Sequence, residues 1–192
     1  MIPLNVPNLI TLSRIILIPL IIAIFYMPDE WLSFSGKNMT ATAIFMFAAV
    51  TDWLDGYLAR KLNQMSAFGA FLDPVADKLI VVGALIVLLK EGRVDAVVAL
   101  IIIGREIAIS ALREWMAKVG QAKSVGVAFI GKLKTVSQMI AIPLLLLYDD
   151  NLFGLVDCSV LGTILINIAA VLTVVSMLYY LRKALPYASV RG

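Results

Sequence analysis

Apolar runs of close to membrane-spanning length recur along this chain, each closed by charges, glycine or proline. About twenty consecutive apolar residues cross a bilayer as one helix. In lipid, a helix satisfies all of its backbone hydrogen bonds within itself. The pattern predicts six helical spans, at Pro7–Met27, Thr40–Arg60, Asp73–Lys90, Val94–Trp115, Val125–Tyr148 and Leu161–Leu181. Composition agrees: 61% of the residues are hydrophobic and 15% charged, against roughly 45–50% and about 25% in soluble domains. The expected fold is all-α, a polytopic membrane protein with six transmembrane helices around a cytoplasm-facing polar cavity. Its 192 residues form one transmembrane domain with no room for a second, soluble one. The first apolar run lacks a basic leader and a small-residue cleavage site, so it is expected to remain as a span. Pro7 suits a first helical turn, and Gly92, Gly120 and Gly154 fall in predicted turns.

Charge asymmetry orients the bundle. The connections 28–39, 91–93 and 149–160 carry Lys37 and Arg93 against Asp29, Glu30, Glu91, Asp149, Asp150 and Asp157. The opposite side carries Arg60, Lys61, Lys78, Lys118, Lys123, Arg182, Lys183 and Arg191. Both termini are therefore expected in the cytoplasm. The net charge of +3 reflects this bias. No basic stripe interleaved with aromatics points to nucleic acid. One cysteine, Cys158, excludes an internal disulfide and a cysteine metal cage. Histidine, the usual general base, is absent from the sequence.

Against this apolar background the stretch Thr51–Lys78 holds four aspartates, Asp52, Asp55, Asp73 and Asp77. Asp52 and Asp55 share a helix face with Gly56 and Ala59. Gly69, Asp73 and Asp77 follow at intervals of four and share a face if the third helix starts early. Pro74 instead favours a start near Asp73, which leaves Gly69 in the connection. Two helices joined by a short connection are expected to pack as antiparallel neighbours, so their acidic ends meet. Four carboxylates at close range repel one another. Divalent cations offset that, and oxygen ligands favour Mg2+ or Mn2+ over zinc. Two ions sharing carboxylates is a recurring arrangement for displacement at phosphorus. The plainer alternative is a solvated loop whose aspartates cap helices, but ionisable groups within membrane segments are functional by default.

The fourth span adds Arg105, Glu106 and Arg113, with Arg105 near mid-membrane. Two readings stay open, a structural Arg–Glu network and a pocket in which Arg105 and Arg113 grip a phosphate. Lys132 and Lys134 point to different sides of the fifth span. Lys132, next to Gly131, is expected to enter the cavity, while Lys134 reaches the interface. Asn8, Thr11 and Arg14 on the first span suit a nucleotide or phosphate, or an ordinary helix N-terminus. Trp31, Trp53 and Trp115 read as interface anchors.

Together these acids and their neighbours spell D-x-x-D-G-x-x-A-R, eight residues, then G-x-x-x-D-x-x-x-D, from Asp52 to Asp77. This resembles the signature of the CDP-alcohol phosphotransferases, with every position filled. "VPNLITLSR", "GREIAISALREWM" and "GKLKT" are similar to the glycerol-phosphate branch of that family. The resemblance implies transfer of a phosphatidyl group from CDP-diacylglycerol to sn-glycerol 3-phosphate, with release of CMP, by a homodimer among the membrane lipids of a bacterial inner membrane. It implies that Asp52, Asp55, Asp73 and Asp77 hold two metal ions and that Asp77 is the base. It further implies that Asn8, Thr11, Gly56, Ala59, Arg60 and Gly69 lie at CDP-diacylglycerol, and that Arg14 joins Arg105, Arg113 and Lys132 at the acceptor phosphate. No serine or cysteine is paired with a base for a covalent step, so direct displacement is expected. The rivals are a sister enzyme acting on inositol phosphate and, from another class, a cation transporter. A transporter calls for polar residues through the full membrane thickness.

Overall fold

The computed structural model describes residues 6–61, 66–121, 129–150, 152 and 157–187, with side chains for all of these except 6, 7, 53, 55–60, 67 and 129. Six helices follow one another: α1 (Val6–Ile24), α2 (Phe34–Lys61), α3 (Ala67–Lys90), α4 (Ala96–Lys118), α5 (Phe129–Leu147) and α6 (Cys158–Ala184). A single 3-10 turn, Leu185–Tyr187, follows α6. Two stretches, Ile130–Leu147 and Cys158–Tyr187, are long and apolar enough to cross a membrane, and Asn8–Ile24 is a shorter apolar helix. In α3 and α4 the apolar run is interrupted by Asp73, Asp77 and Lys78, and by Arg105, Glu106 and Arg113. Outward-facing Ile16, Leu100, Ile107, Val171 and Leu178 are exposed, an apolar exterior suited to lipid.

Helix ends follow local chemistry. Asp95 and Asp157 cap α4 and α6, accepting hydrogen bonds from Val97 N–H and from Ser159 and Val160 N–H. Gly92 and Gly120 close α3 and α4 at φ +68 and +76. Behind them, Arg93 N–H bonds Leu88 C=O and Gln121 N–H bonds Met116 C=O, the six-to-one closure that a left-handed residue permits. Gly154 lies outside the described residues.

Helix α3 departs from the sequence expectation. It starts at Ala67, not near Asp73, because Ser66 caps it and accepts from Gly69 N–H at 3.0 Å. Gly69, Asp73 and Asp77 therefore all lie on helix, on one face. Pro74 sits inside α3, beyond its first turn. It cannot donate to the carbonyl one turn back, a cost the helix carries where it borders the cavity.

Packing also differs from a simple hairpin of α2 and α3. These two touch only lightly, and α1 packs against both. Close approach is bought by glycine: a Cβ on Gly83 would come within 2.8 Å of Ile18 on α1. The α5–α6 contact is built the same way. A Cβ on Gly162 would lie 2.7 Å from Leu145 Cγ and 3.3 Å from its backbone nitrogen.

The bundle has an apolar half and a polar half. The main core joins Ile21, Phe45, Leu85, Leu88, Ile102 and Leu145, which lie toward the C-terminal ends of α1, α3 and α5 and the N-terminal halves of α2 and α4. That end is locked by Arg93. Its guanidinium donates to Leu145 C=O (3.0 Å), Leu146 C=O (2.9 Å) and Asn38 Oδ1 (2.7 Å), and lies 4.5 Å from the Tyr148 ring centroid. Read from sequence as a loop charge, Arg93 is a buried cap on the end of α5.

Candidate active site

The polar half opens as a cavity of about 310 Å³ between α1, α2, α3, α4 and α5. Its first wall is the acid cluster. Oxygens of Asp52, Asp73 and Asp77 lie within 4.8 Å of one another, drawn from two helices that barely touch. Arg14 of α1 makes this possible. Its Nη1 donates to Asp52 Oδ1 at 2.6 Å and to Asp77 Oδ1, and its Nη2 donates to Asp73 Oδ1 at 2.5 Å. The arginine is 1% exposed, while the carboxylates are 38–44% exposed; Asp52 and Asp77 line the cavity and Asp73 lies beside them. The sequence expected Arg14 at a phosphate; its guanidinium is instead engaged by the acids it separates. Three convergent carboxylates on neighbouring helices are the hard-oxygen donor set that Mg2+ or Mn2+ takes, so the residues fit such an ion. Asp55, Gly56, Ala59 and Arg60 lie on the last turns of α2, and their side chains lie outside the described residues.

Beside the acids, Asn8 and Thr11 are buried on the same face of α1 as Arg14. Asn8 donates to Ser66 Oγ at 3.1 Å, and its Oδ1 occupies the space a Cβ on Gly69 would need. The glycine thus lets the start of α3 close on α1.

Cations share the cavity with the acids. Lys78, Arg113 and Lys134 line it together with Glu106. Lys134 is 3% exposed and ion-paired with Glu106. Arg113 and Lys78 have no carboxylate partner among the described residues. The structure thus corrects two expectations. Lys134, not Lys132, enters the cavity, and Lys132 is exposed. Arg105 does not line the cavity. It donates to Glu106 at 3.2 Å and to Ser176 Oγ at 3.4 Å on α6, behind the wall. Both arginines face the Tyr180 ring, at 6.0 Å for Arg105 and 5.7 Å for Arg113. The Arg–Glu network and the phosphate pocket, open alternatives in the sequence, thus coexist: Arg105 belongs to the network and Arg113 to the cavity.

Lys78, Lys134 and Gln138 were missed as cavity residues. The signal for Lys134 and Gln138 was present. Gly131, Lys134, Gln138, Ala141 and Leu145 form one buried stripe on α5, so extending the apolar stripe backward by its 3–4-residue period reaches Lys134 and bypasses Lys132. Lys78 follows Asp77 directly, and only the tertiary arrangement turns it toward α4.

Residues 4–175 match the CDP-alcohol phosphatidyltransferase family. The chain belongs to that family. Among its relatives, a Pseudomonas fluorescens protein named CDP-diacylglycerol–glycerol-3-phosphate 3-phosphatidyltransferase is 48% identical over 191 residues, covering 98% of this chain and 94% of the relative. Proteins of the same name from Escherichia coli strain K12 and Salmonella choleraesuis are 48% and 47% identical over 182 residues, 94% of each chain. The family resemblance drawn from Asp52 to Asp77 is borne out. In this CDP-alcohol phosphatidyltransferase, three of the four signature aspartates, Asp52, Asp73 and Asp77, converge, and Asp52 and Asp77 line the cavity.

Proposed function

We propose that this chain transfers the phosphatidyl group of CDP-diacylglycerol to sn-glycerol 3-phosphate, giving phosphatidylglycerophosphate and CMP. One observation carries the reading: a single cavity is lined by Asp52 and Asp77 of a three-carboxylate cluster and by the cations Lys78, Arg113 and Lys134. This suits a reaction that joins a diphosphate donor to a phosphorylated acceptor. The names of its relatives support the same donor and acceptor.

Asp52, Asp73 and Asp77, with Asp55 by motif position, would hold the divalent ions, two of them on the family pattern. When bound, such ions supply charge stabilisation at the diphosphate. The protein's own groups do the rest. Arg113, Lys78 and Lys134 hold the acceptor phosphate by charge-assisted hydrogen bonds, and Glu106 fixes Lys134. Arg105 acts behind them by orienting Glu106. Asp77 takes the proton from the acceptor hydroxyl. That oxygen forms a bond to the phosphatidyl phosphorus as the bond to CMP breaks, and no enzyme-bound adduct intervenes. Asn8, Thr11, Gly56, Ala59, Arg60 and Gly69 border the donor.

The six helices are read as six spans, with both termini and the cavity mouth at the cytoplasmic face, in a homodimer within the inner membrane. The basic ends of α2, α4 and α6 support that orientation. The apolar core filling the far half of the bundle disfavours a transport path.

The test is CMP release and product identification with purified protein and labelled CDP-diacylglycerol. The acceptor panel holds sn-glycerol 3-phosphate, inositol phosphate and serine, each with Mg2+ and with chelator. Phosphatidylglycerophosphate formed only with the divalent ion is expected. Preference for another acceptor, or transfer undiminished in chelator, would overturn the assignment.

A further inference from the structure

The inner end of the cavity, beyond the charged walls, is apolar, formed by Phe45, Ile80, Val81 and Met139. One polar side chain interrupts it. Gln138 lines the cavity and is 4% exposed, and its Oε1 is buried with no hydrogen-bond partner among the described residues. An unpaired buried amide is destabilising, and leucine or methionine would fill the same space without that cost. The amide nitrogen, which makes no hydrogen bond among the described residues and is not fully buried, faces the cavity that the residue lines, so the position is well explained by a ligand that accepts from it. No charged residue shares this end of the cavity, so the group it meets is neutral. A hydroxyl fits, since its oxygen accepts from the amide nitrogen.

The spacing says which hydroxyl. Gln138 lies four residues beyond Lys134 on the same buried stripe, about 6 Å along the helix. That is about one helical turn past the cation that holds the acceptor phosphate. A three-carbon phosphate with its phosphorus at Lys134 and its terminal hydroxyl at Asp77 can turn its middle hydroxyl toward the inner end of the cavity, which Gln138 lines. We propose that Gln138 is a specificity-determining residue that hydrogen-bonds the non-reacting hydroxyl of the acceptor, the one on the carbon next to the phosphorylated carbon. This rests on the phosphorylated-alcohol reading above.

The experiment compares sn-glycerol 3-phosphate with 3-hydroxypropyl phosphate, which lacks only that hydroxyl, in wild type and Gln138→Met. Wild type is expected to prefer the natural acceptor by at least about tenfold in kcat/KM, because an amide left unpaired by the analogue opposes its transfer. Gln138→Met is expected to lower that ratio to about threefold or less, chiefly by losing the natural acceptor, with the analogue rate held or improved. Equal loss on both acceptors identifies a packing role and overturns the proposal. So does a wild-type enzyme indifferent to the hydroxyl, a result that needs no variant to fold. If wild type uses neither phosphate but transfers to another alcohol, the functional reading falls and this inference with it. If it uses sn-glycerol 3-phosphate with an unchanged ratio in the variant, only the role of Gln138 falls.

Discussion

Replacing Arg14 by methionine keeps most of the side-chain volume and removes the charge that separates the acids. The magnitude follows from the geometry. Three charge-assisted contacts join one buried guanidinium to carboxylates that are 38–44% exposed. Fully buried, each would contribute about 1.5–3 kcal/mol; at the surface, about 0.2–1 kcal/mol. Half-exposed partners put each near about 1 kcal/mol, so the contacts sum to about 3 kcal/mol. The carboxylates left behind also repel. At the 4.8 Å limit of their separation, each pair contributes between about 0.9 kcal/mol in water and about 3.5 kcal/mol at an effective dielectric of 20. Arg14→Met should therefore lose about 3 kcal/mol or more in chelator. The assay is unfolding of the detergent-solubilised protein with chelator and with rising Mg2+ or Mn2+. A divalent ion should restore the variant by more than it stabilises wild type, because ion and guanidinium draw on the same oxygens. Equal stability of the two proteins in chelator, or an equal gain from the ion, would refute the reasoning.

Asp77→Asn should reduce CMP release by about a thousandfold or more, the scale of losing a positioned general base, while binding of CDP-diacylglycerol persists in equilibrium measurements. Lys134→Met should raise KM for sn-glycerol 3-phosphate by about tenfold, the worth of one charge-assisted contact near 1.4 kcal/mol. Lys132→Met should stay within about twofold, since its side chain is exposed outside the cavity. Steady-state kinetics on both variants checks the pair, and the reverse ranking would return the role to Lys132. Arg93→Met should destabilise the protein by about 3–5 kcal/mol, by unpairing Asn38 and two terminal carbonyls of α5. The kcat/KM of its folded fraction should be unchanged, because the lock lies at the end of the bundle away from the acids.

Local chemistry fixed the helices because each depends on residues close in the chain. Apolar runs set their number, and Asp157, Gly92 and Gly120 mark their ends. Two starts were read too late: α2 begins at Phe34 rather than Thr40, and α3 at Ala67 rather than near Asp73, the latter from weighing Pro74 above the Ser66 cap. A proline beyond the first turn costs one hydrogen bond, whereas a cap decides where the chain enters the helix. The acids were equally legible, since a period of four puts Asp73 and Asp77 on one face, whereas Gly69 joins that face only because α3 starts at Ala67.

Which charges meet across helices was decided only by the tertiary structure. The wedging of α1 between α2 and α3 puts Arg14 among the acids, and α6 draws Arg105 behind the wall. Backbone hydrogen bonding and side-chain period act over a few residues and are written in the sequence. The partner of a buried charge depends on helix rotation and on small residues such as Gly83 and Gly162 that set how closely helices approach. No local pattern encodes that choice, because it minimises the free energy of the whole bundle at once.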